Sequence, residues 1–260
     1  MRQIFDFHLH PFIDLKDRIG SYAAPASAEA FVAHLKKVGI TACAGSVIHG
    51  IDGTDFAPIR EMNDQALRFR DKFPGFYYPG MHVLAGFPDE SIQEIDRMRA
   101  EGVKLIGELV PYMMGYREYM HPTLLPVWEY AEKMQMPVSI HSIDIVDMDK
   151  LVATYPKLTV VMAHPGEFAS LQQKLEVMKK HPNAYLDICG TGLFRYNMLS
   201  YTVKAIGADR VLFATDFPTC NAAMQVAAVD YEDITPADRE AIFHGNAEHL
   251  LGLVSRPIHS

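Results

Sequence analysis

The chain has 260 residues with a formal net charge of −8 at neutral pH, and 49% of the residues are apolar and 22% charged. This composition excludes a disordered chain and provides enough apolar side chains for one large core. The negative charge, together with the lack of any basic run in the sequence, argues against nucleic acid as a partner.

The N-terminal segment and the cysteines indicate where the protein works. Acids and histidines interrupt the start of the chain before an apolar stretch as long as a signal peptide can form. No run approaches the roughly 18 apolar residues that mark a membrane span. Cys43, Cys189 and Cys220 lie far apart, form no CxxC pair and are odd in number. We therefore expect a cytoplasmic protein with no membrane partner.

Short β-branched apolar runs alternate with longer segments of helical periodicity along the whole chain. The predicted strands are residues 4–8, 40–48, 78–84, 103–109, 137–141, 159–164, 184–189 and 211–215. The predicted helices are approximately residues 27–38, 59–72, 89–100, 123–134, 147–155, 167–180, 196–206 and 236–243. Eight strands, each followed by a helix and with no linker between them, predict an α/β protein whose single domain, residues 1–260, is a (β/α)8 TIM barrel.

Histidines and carboxylates occupy the carboxyl ends of the predicted strands, where barrel enzymes place their chemistry. In strand order these residues are His8, His10, Glu108, His141, His164, Asp187 and Asp216. No comparable polar set occurs at the strand starts. The sequence therefore places the functional site at the carboxyl-terminal face of the barrel.

Residues 6–10 read Asp-Phe-His-Leu-His, so the strand period of two sends the three polar side chains to one face and the apolar ones to the other. We expect the apolar face to pack on the helices and the polar face to point into the barrel. There His8 and His10 can bind one ion, with Asp6 orienting them. A pair of hydrogen-bonded interior histidines is the alternative.

His141 and Asp216 favour the metal interpretation. A divalent cation needs three or four nitrogen or oxygen ligands from different chain segments, and strand ends provide that convergence. Burying several histidines with an aspartate would be costly without a cation.

Three strand-end residues have more than one interpretation. His164 is either a further metal ligand or a neutral imidazole that polarises a substrate carbonyl, and a packing histidine is the alternative. Asp216 can bind the metal and accept the proton of a bound water, whose pKa zinc lowers to about 7; otherwise it caps a helix before Pro218. Glu108 bridges to a second ion, binds substrate, or pairs with Lys104 in the interior.

The segments after strands one and four are predicted to be long loops that build the substrate pocket. The second loop is rich in tyrosine and methionine and carries Tyr112 and Arg117, which suits a small, partly apolar, carboxylate-bearing substrate. Loop packing or a subunit interface explains these residues equally well. Arg195, beyond strand seven, is a further candidate for binding a carboxylate, with a surface ion pair as the alternative.

These motifs resemble the amidohydrolase superfamily, in particular its amidohydrolase-related branch of metal-dependent hydrolases and decarboxylases. Besides the HxH motif, the resemblance rests on residues 125–141, 155–166, 184–187, 211–218 and 245–248, and so covers nearly the whole chain. It implies a distorted barrel that holds zinc or a similar divalent ion, such as manganese. The implied ligands are His8, His10, His141 and Asp216, with His164 close to the metal-bound water or the substrate.

Glu108 departs from this pattern. Relatives with two metals often carry a carboxylated lysine at the end of strand four, whereas a glutamate there also resembles the TatD-like nucleases. The number of ions, one or two, therefore stays open.

The sequence predicts an enzyme acting on a small molecule, with hydrolysis as the first hypothesis. The ion would activate water, Asp216 would accept its proton, and His164 would stabilise the oxyanion with the metal. The second hypothesis is non-oxidative decarboxylation of an aromatic or unsaturated carboxylic acid. A TatD-like nuclease, which rests on Glu108 alone, and a non-catalytic ligand-binding barrel are further alternatives. A homodimer formed through outer helices and loops is compatible with this fold.

Overall fold

The structure, a computed structural model, describes residues 2–19 and 25–253. Its strands are β1 (Phe5–Leu9), β2 (Ala42–Gly45), β3 (Tyr77–Met81), β4 (Leu105–Leu109), β5 (Val138–Ile140), β6 (Val160–Met162), β7 (Ala184–Asp187) and β8 (Val211–Leu212). All eight are parallel and follow one another in chain order in one sheet. A bridge between Leu9 and Phe217 joins the two edges, which confirms the predicted TIM barrel.

Ten α-helices surround and close the barrel in the part of the chain described. They are α1 (Ala28–Lys37), α2 (Ala57–Lys72), α3 (Pro88–Ala100), α4 (Leu125–Lys133), α5 (Ile145–Thr154), α6 (Phe168–Lys180), α7 (Met198–Ile206), α8 (Ala222–Asp230), α9 (Pro236–Glu240) and α10 (Asn246–Leu250). Ser27 marks the start of α1 in the sequence because it caps the helix: its Oγ accepts a hydrogen bond from the Ala30 amide. None of the helices in the described ranges is both long enough and apolar enough to cross a bilayer.

The region after β8 differs from the prediction. Helix α8 was missed because its alanines and valines surround the axis without a polar face, so helical periodicity is weak. Asn221, which caps α8 by accepting from the amides of Ala223 and Met224, is the signal that marks its start. The helix predicted over residues 236–243 ends at Glu240, where the π-helical turn Ala241–Gly245 begins.

Two apolar clusters make up the core. The larger one lies between the sheet and the helices. The smaller one consists of Phe5, Phe7, Ala44, Leu105, Val161, Leu212, Ala247 and Leu251. Val160 and Met162, the neighbours of Val161, belong to the larger cluster. Because successive strand residues point to opposite faces, the smaller cluster fills the barrel interior, where residues of α10 cover it.

The side assigned to two aromatic residues of β1 was wrong. Phe5 and Phe7 pack inside the barrel rather than against the helices. The pairing of β1 with β2 shifts register between Asp6 and Leu9. This irregularity interrupts the strict alternation of sides, so that Phe7 and His8 can both face the interior.

Candidate metal centre

Glu108, at the end of β4, contacts four histidines from three other strand ends. Its Oε2 atom lies 3.1 Å from His8 Nε2 and 3.4 Å from His10 Nε2. Its Oε1 atom lies 2.9 Å from His141 Nδ1 and 3.3 Å from His164 Nε2. The fold thus brings together five side chains that span more than half of the sequence.

The two histidines of β1 are held by their Nδ1 atoms. His8 Nδ1 lies 2.9 Å from Asp187 Oδ2 and 3.3 Å from Cys189 Sγ. His10 Nδ1 lies 3.0 Å from the carbonyl oxygen of Ser46. Both rings therefore present Nε2 to the centre, which is how outer hydrogen bonds orient metal-binding histidines.

Asp6 does not orient these rings through their nitrogens. Its Oδ2 accepts a hydrogen bond of 2.5 Å from Thr215 Oγ1, and its Oδ1 accepts one from the Thr215 amide at 2.9 Å. Burial raises the pKa of Asp6 to about 7. Asp6 instead links β1 to the segment after β8. The carboxylate that contacts the His8 ring, and so orients it, is that of Asp187. The position of Asp187 late in strand seven was the signal for that role.

Asp216 adds a second carboxylate to the centre. Its Oδ1 lies 3.5 Å from His10 Nε2, and its amide donates to the carbonyl of His8. Asp216 and His164 both have left-handed backbones, with φ of 57° and 63°. Such conformations are uncommon outside glycine, cost on the order of 1–3 kcal/mol and cluster at active sites. They turn the chain sharply after β6 and β8.

The charge state of Glu108 suits a metal ligand. Burial by itself would raise its pKa, but the charge on His8 and hydrogen bonds from His10, His141 and His164 lower it well below the usual value. The centre therefore keeps an ionised carboxylate in a buried place, as metal ligation requires.

The proposed interior pair of Glu108 with Lys104 does not form. Lys104 is exposed, and its Nζ donates to the carbonyl of Gly252. Within residues 2–19 and 25–253, no lysine or arginine lies within ion-pair distance of Glu108. Imidazole nitrogens and carboxylate oxygens are the donors that zinc and manganese accept. The donor set therefore fits a divalent cation.

A cavity of about 630 Å³ opens above this centre. It is lined by three residues of the centre, His141, His164 and Asp216. Hydroxyl groups and one lysine provide further polar lining, from Ser142, Ser170, Thr191, Thr219 and Lys174. The side chains of Phe194 and Met224 add apolar surface. The cavity can therefore accept a small molecule with both apolar and polar groups.

The three substrate-binding residues predicted from sequence lie in different surroundings. The Tyr112 ring is 5.4 Å from the His141 ring, edge-on, and 67% exposed. Arg117 is exposed in the same loop. Arg195 forms an ion pair with Glu167, with 2.9 Å between Nη2 and Oε1. A surface ion pair was the alternative interpretation of this arginine.

Sequence reasoning missed Lys174, although its position carried a signal. The apolar stripe of α6 runs through Leu171, Leu175 and Met178, and Lys174 lies within that stripe. A lysine at such a position is buried against the core side of its helix.

A family model described as amidohydrolase matches residues 5–253. The chain belongs to the amidohydrolase family. This confirms the membership that the motifs predicted and places the chain in a family of enzymes.

The chain is similar to three decarboxylases, one compared by sequence and two by structure. A gamma-resorcylate decarboxylase from Polaromonas sp. strain JS666 is 28% identical over 153 residues, which are 51% of this chain and 45% of that protein. The chain thus spans less than half the length of that relative. The structure of a 2,6-dihydroxybenzoate decarboxylase from Rhizobium superposes with a TM-score of 0.77 at 18% identity, covering 97% of this chain and 99% of that one.

The third similar protein is a dihydroxybenzoic acid decarboxylase from Polaromonas sp. JS666, solved with bound manganese and the inhibitor 2-nitroresorcinol. It superposes with a TM-score of 0.70 at 18% identity over 100% of both chains. At this identity the structural likeness shows the fold. The decarboxylase that is 28% identical in sequence favours the decarboxylase hypothesis over the hydrolase hypothesis.

Proposed function

We propose that the chain is a metal-dependent, non-oxidative decarboxylase of a small aromatic or unsaturated carboxylic acid. The observation that carries the proposal is the convergence of four histidines, Glu108 and Asp216 beneath an open cavity. The decarboxylase relatives support this reaction class over others that the same centre could perform.

The proposed metal ligands are His8, His10, His141 and Asp216, as the sequence motifs imply. Glu108 is proposed as a further ligand. When bound, a divalent ion supplies a Lewis acid that positions and polarises substrate oxygens. Zinc and manganese both suit this mixed set of nitrogen and oxygen donors. Each oxygen of Glu108 faces a different pair of imidazoles, so the arrangement accommodates one ion or two.

The reaction breaks the bond between the carboxylate carbon and its neighbour, releases carbon dioxide and places a proton on the carbon left behind. The protein must hold the acid and exchange one proton with it. Asp216 lines the cavity, and of its two carboxylate oxygens only Oδ1 faces His10. We therefore assign the proton exchange with the substrate to Asp216. His164 lines the same cavity, where we assign it the role of polarising the substrate.

Tyr112 and Arg117 are the proposed substrate contacts in the loop after β4. Tyr112 stands edge-on to His141, which lines the cavity. Arg195 was the third candidate, and its pairing with Glu167 favours a surface role.

Hydrolysis is the second candidate, favoured by the position of Asp216. A carboxylate that lines the cavity beside His10 can also accept the proton of an attacking water. The two functions differ in their products, because only decarboxylation releases carbon dioxide.

The test uses purified protein stripped of metal and reloaded with zinc or manganese. The protein is incubated with hydroxybenzoic acids, including 2,6-dihydroxybenzoate, and with lactones and amides, while carbon dioxide and pH are followed. We expect gas release that His8→Ala abolishes and His181→Ala, outside the centre, preserves. Proton release without gas would support hydrolysis, and no turnover with any metal would contradict both functions.

A further inference from the structure

Lys174 is a buried lysine without a charged partner in contact. It is 2% exposed, and its Nζ donates to Ser170 Oγ at 2.7 Å and to the carbonyl of Pro165 at 3.3 Å. Among the residues that the structure describes, no carboxylate lies within ion-pair distance of this Nζ. Lysines are rarely buried unless paired, and an ammonium has three donors, of which these neutral acceptors use two.

The same side chain lines the cavity above the metal centre. Lys174 is fixed to the turn after β6, because Pro165, its acceptor, directly follows His164. Gly166 lets the start of α6 pack closely against this turn, because its φ is +73° and a Cβ there would lie 2.7 Å from Ser170 Oγ. The turn and α6 are thus packed so that an ammonium borders the substrate space.

Electrostatics leave this ammonium charged, with no counter-ion in contact among the described residues. Burial lowers the pKa of Lys174 to about 8, while the negative charge of Asp187 acts in the opposite direction. At neutral pH the ammonium form therefore prevails, in a place where water hydrates it poorly. A bound anion would supply the missing charge and accept the remaining hydrogen bond.

We propose that Lys174 binds the carboxylate of the substrate in the cavity above the metal centre. The carboxylic acid substrate class rests on the proposed function, whereas the site itself rests on the contacts and burial of Lys174. Lys174 thereby has the carboxylate-binding role that the sequence suggested for Arg195. The guanidinium of Arg195 is paired with Glu167 instead.

A merely structural lysine would behave differently. If Lys174 only held the turn that contains Pro165, its removal would weaken the binding of charged and uncharged ligands alike. If it binds a carboxylate, its removal reduces the preference for an acid over an uncharged ligand of the same shape.

The experiment measures binding of 2,6-dihydroxybenzoate and of its uncharged analogue 2,6-dihydroxybenzamide by calorimetry at pH 7. The proteins are metal-loaded wild type, Lys174→Met and Lys180→Met, which removes an exposed lysine from the same helix. Wild type and Lys180→Met should prefer the acid equally, and Lys174→Met should lose about 10-fold or more of that preference. Metal content and thermal unfolding are measured for each protein.

Three results would overturn the proposal: no acid preference in wild type, an unchanged preference in Lys174→Met, or equal weakening of both ligands. If Lys174→Met fails to fold, Lys174→Gln, which keeps amide donors without charge, is measured in its place. Acid binding that depends on Lys174 without carbon dioxide release would count against the decarboxylase proposal alone. Gas release with an unaffected acid preference in the variant would count against Lys174 alone.

Discussion

The carboxylate of Asp187 lies 2.9 Å from Nδ1 of His8, and this contact determines that Nε2 of His8 faces the metal centre. Outer hydrogen bonds of this kind fix the tautomer and the ring orientation of ligating histidines. We therefore expect Asp187 to influence metal binding through His8.

We predict that Asp187→Asn weakens metal binding about 10- to 100-fold, because the amide holds His8 less firmly and gives the ring less basicity. The measurement is a competition titration with a chelator of known affinity. Asp149→Asn, which alters a partly exposed carboxylate on α5 that pairs with His181, is the matched control. Equal affinities for the two variants would show that Asp187 does not orient His8.

A second prediction concerns the metal ligands. His8→Ala and Asp216→Asn should each lower the amount of divalent ion that co-purifies or is retained after dialysis, since each removes one donor from the set. Glu108→Gln should do the same, because the amide loses the negative charge that four histidines face. Elemental analysis gives the stoichiometry and separates a one-ion centre from a two-ion centre. Unchanged metal content in all three variants would contradict the metal site.

Much of the barrel could be predicted from sequence because its strands are short apolar runs separated by well-capped helices. Ser27 and Gly39 bound α1 clearly, for example, and the left-handed φ of +94° at Gly39 is a common way to end a helix. Helix α8 lacks that periodicity, so only the cap at Asn221 marked it.

The centre was less predictable than the strands that carry it. Strand-end position pointed to Glu108, but whether it would face the histidines or Lys104 depends on register, which one sequence does not fix. The predicted orientation of Phe7 was wrong for the same reason, since the irregular pairing of β1 with β2 leaves no pattern in composition. Lys174 lies far from the HxH motif in sequence, and only packing of α6 on the turn after His164 brings it to the cavity.

The loop after β4 provides a third prediction. Tyr112→Ala should raise KM several-fold with little effect on metal content, because the ring stands beside His141 but outside the ligand set. Arg195→Ala should change KM by less than about twofold, since it breaks an exposed ion pair, and such pairs contribute little. Steady-state kinetics on the acid that gives carbon dioxide checks both. A larger change in KM for Arg195→Ala than for Tyr112→Ala would indicate that Arg195 contacts the substrate.

The last prediction concerns acid stability and His82, which directly follows β3. Its Nε2 lies 2.8 Å from the carbonyl of Val47, its Nδ1 is buried without a hydrogen-bond partner, and burial lowers its pKa to about 4. The folded protein keeps His82 neutral until the pH falls to about 4, whereas the unfolded chain takes up the proton near the ordinary value of 6.5. Below pH 6.5 the unfolded state binds more protons, so the free energy of unfolding falls as the pH drops from 6.5 towards 4.

This loss amounts to up to about 3 kcal/mol, since each pKa unit corresponds to about 1.4 kcal/mol. His82→Gln keeps an amide donor for Val47 and cannot titrate, so its stability should decline less than that of wild type over the same range. Urea unfolding at several pH values measures the difference, in which the contributions of other groups cancel. His181→Gln, at a partly exposed histidine, is the control and should follow wild type more closely than His82→Gln does. Parallel pH profiles for wild type and His82→Gln would mean that His82 is protonated, or reached by water, in the folded protein.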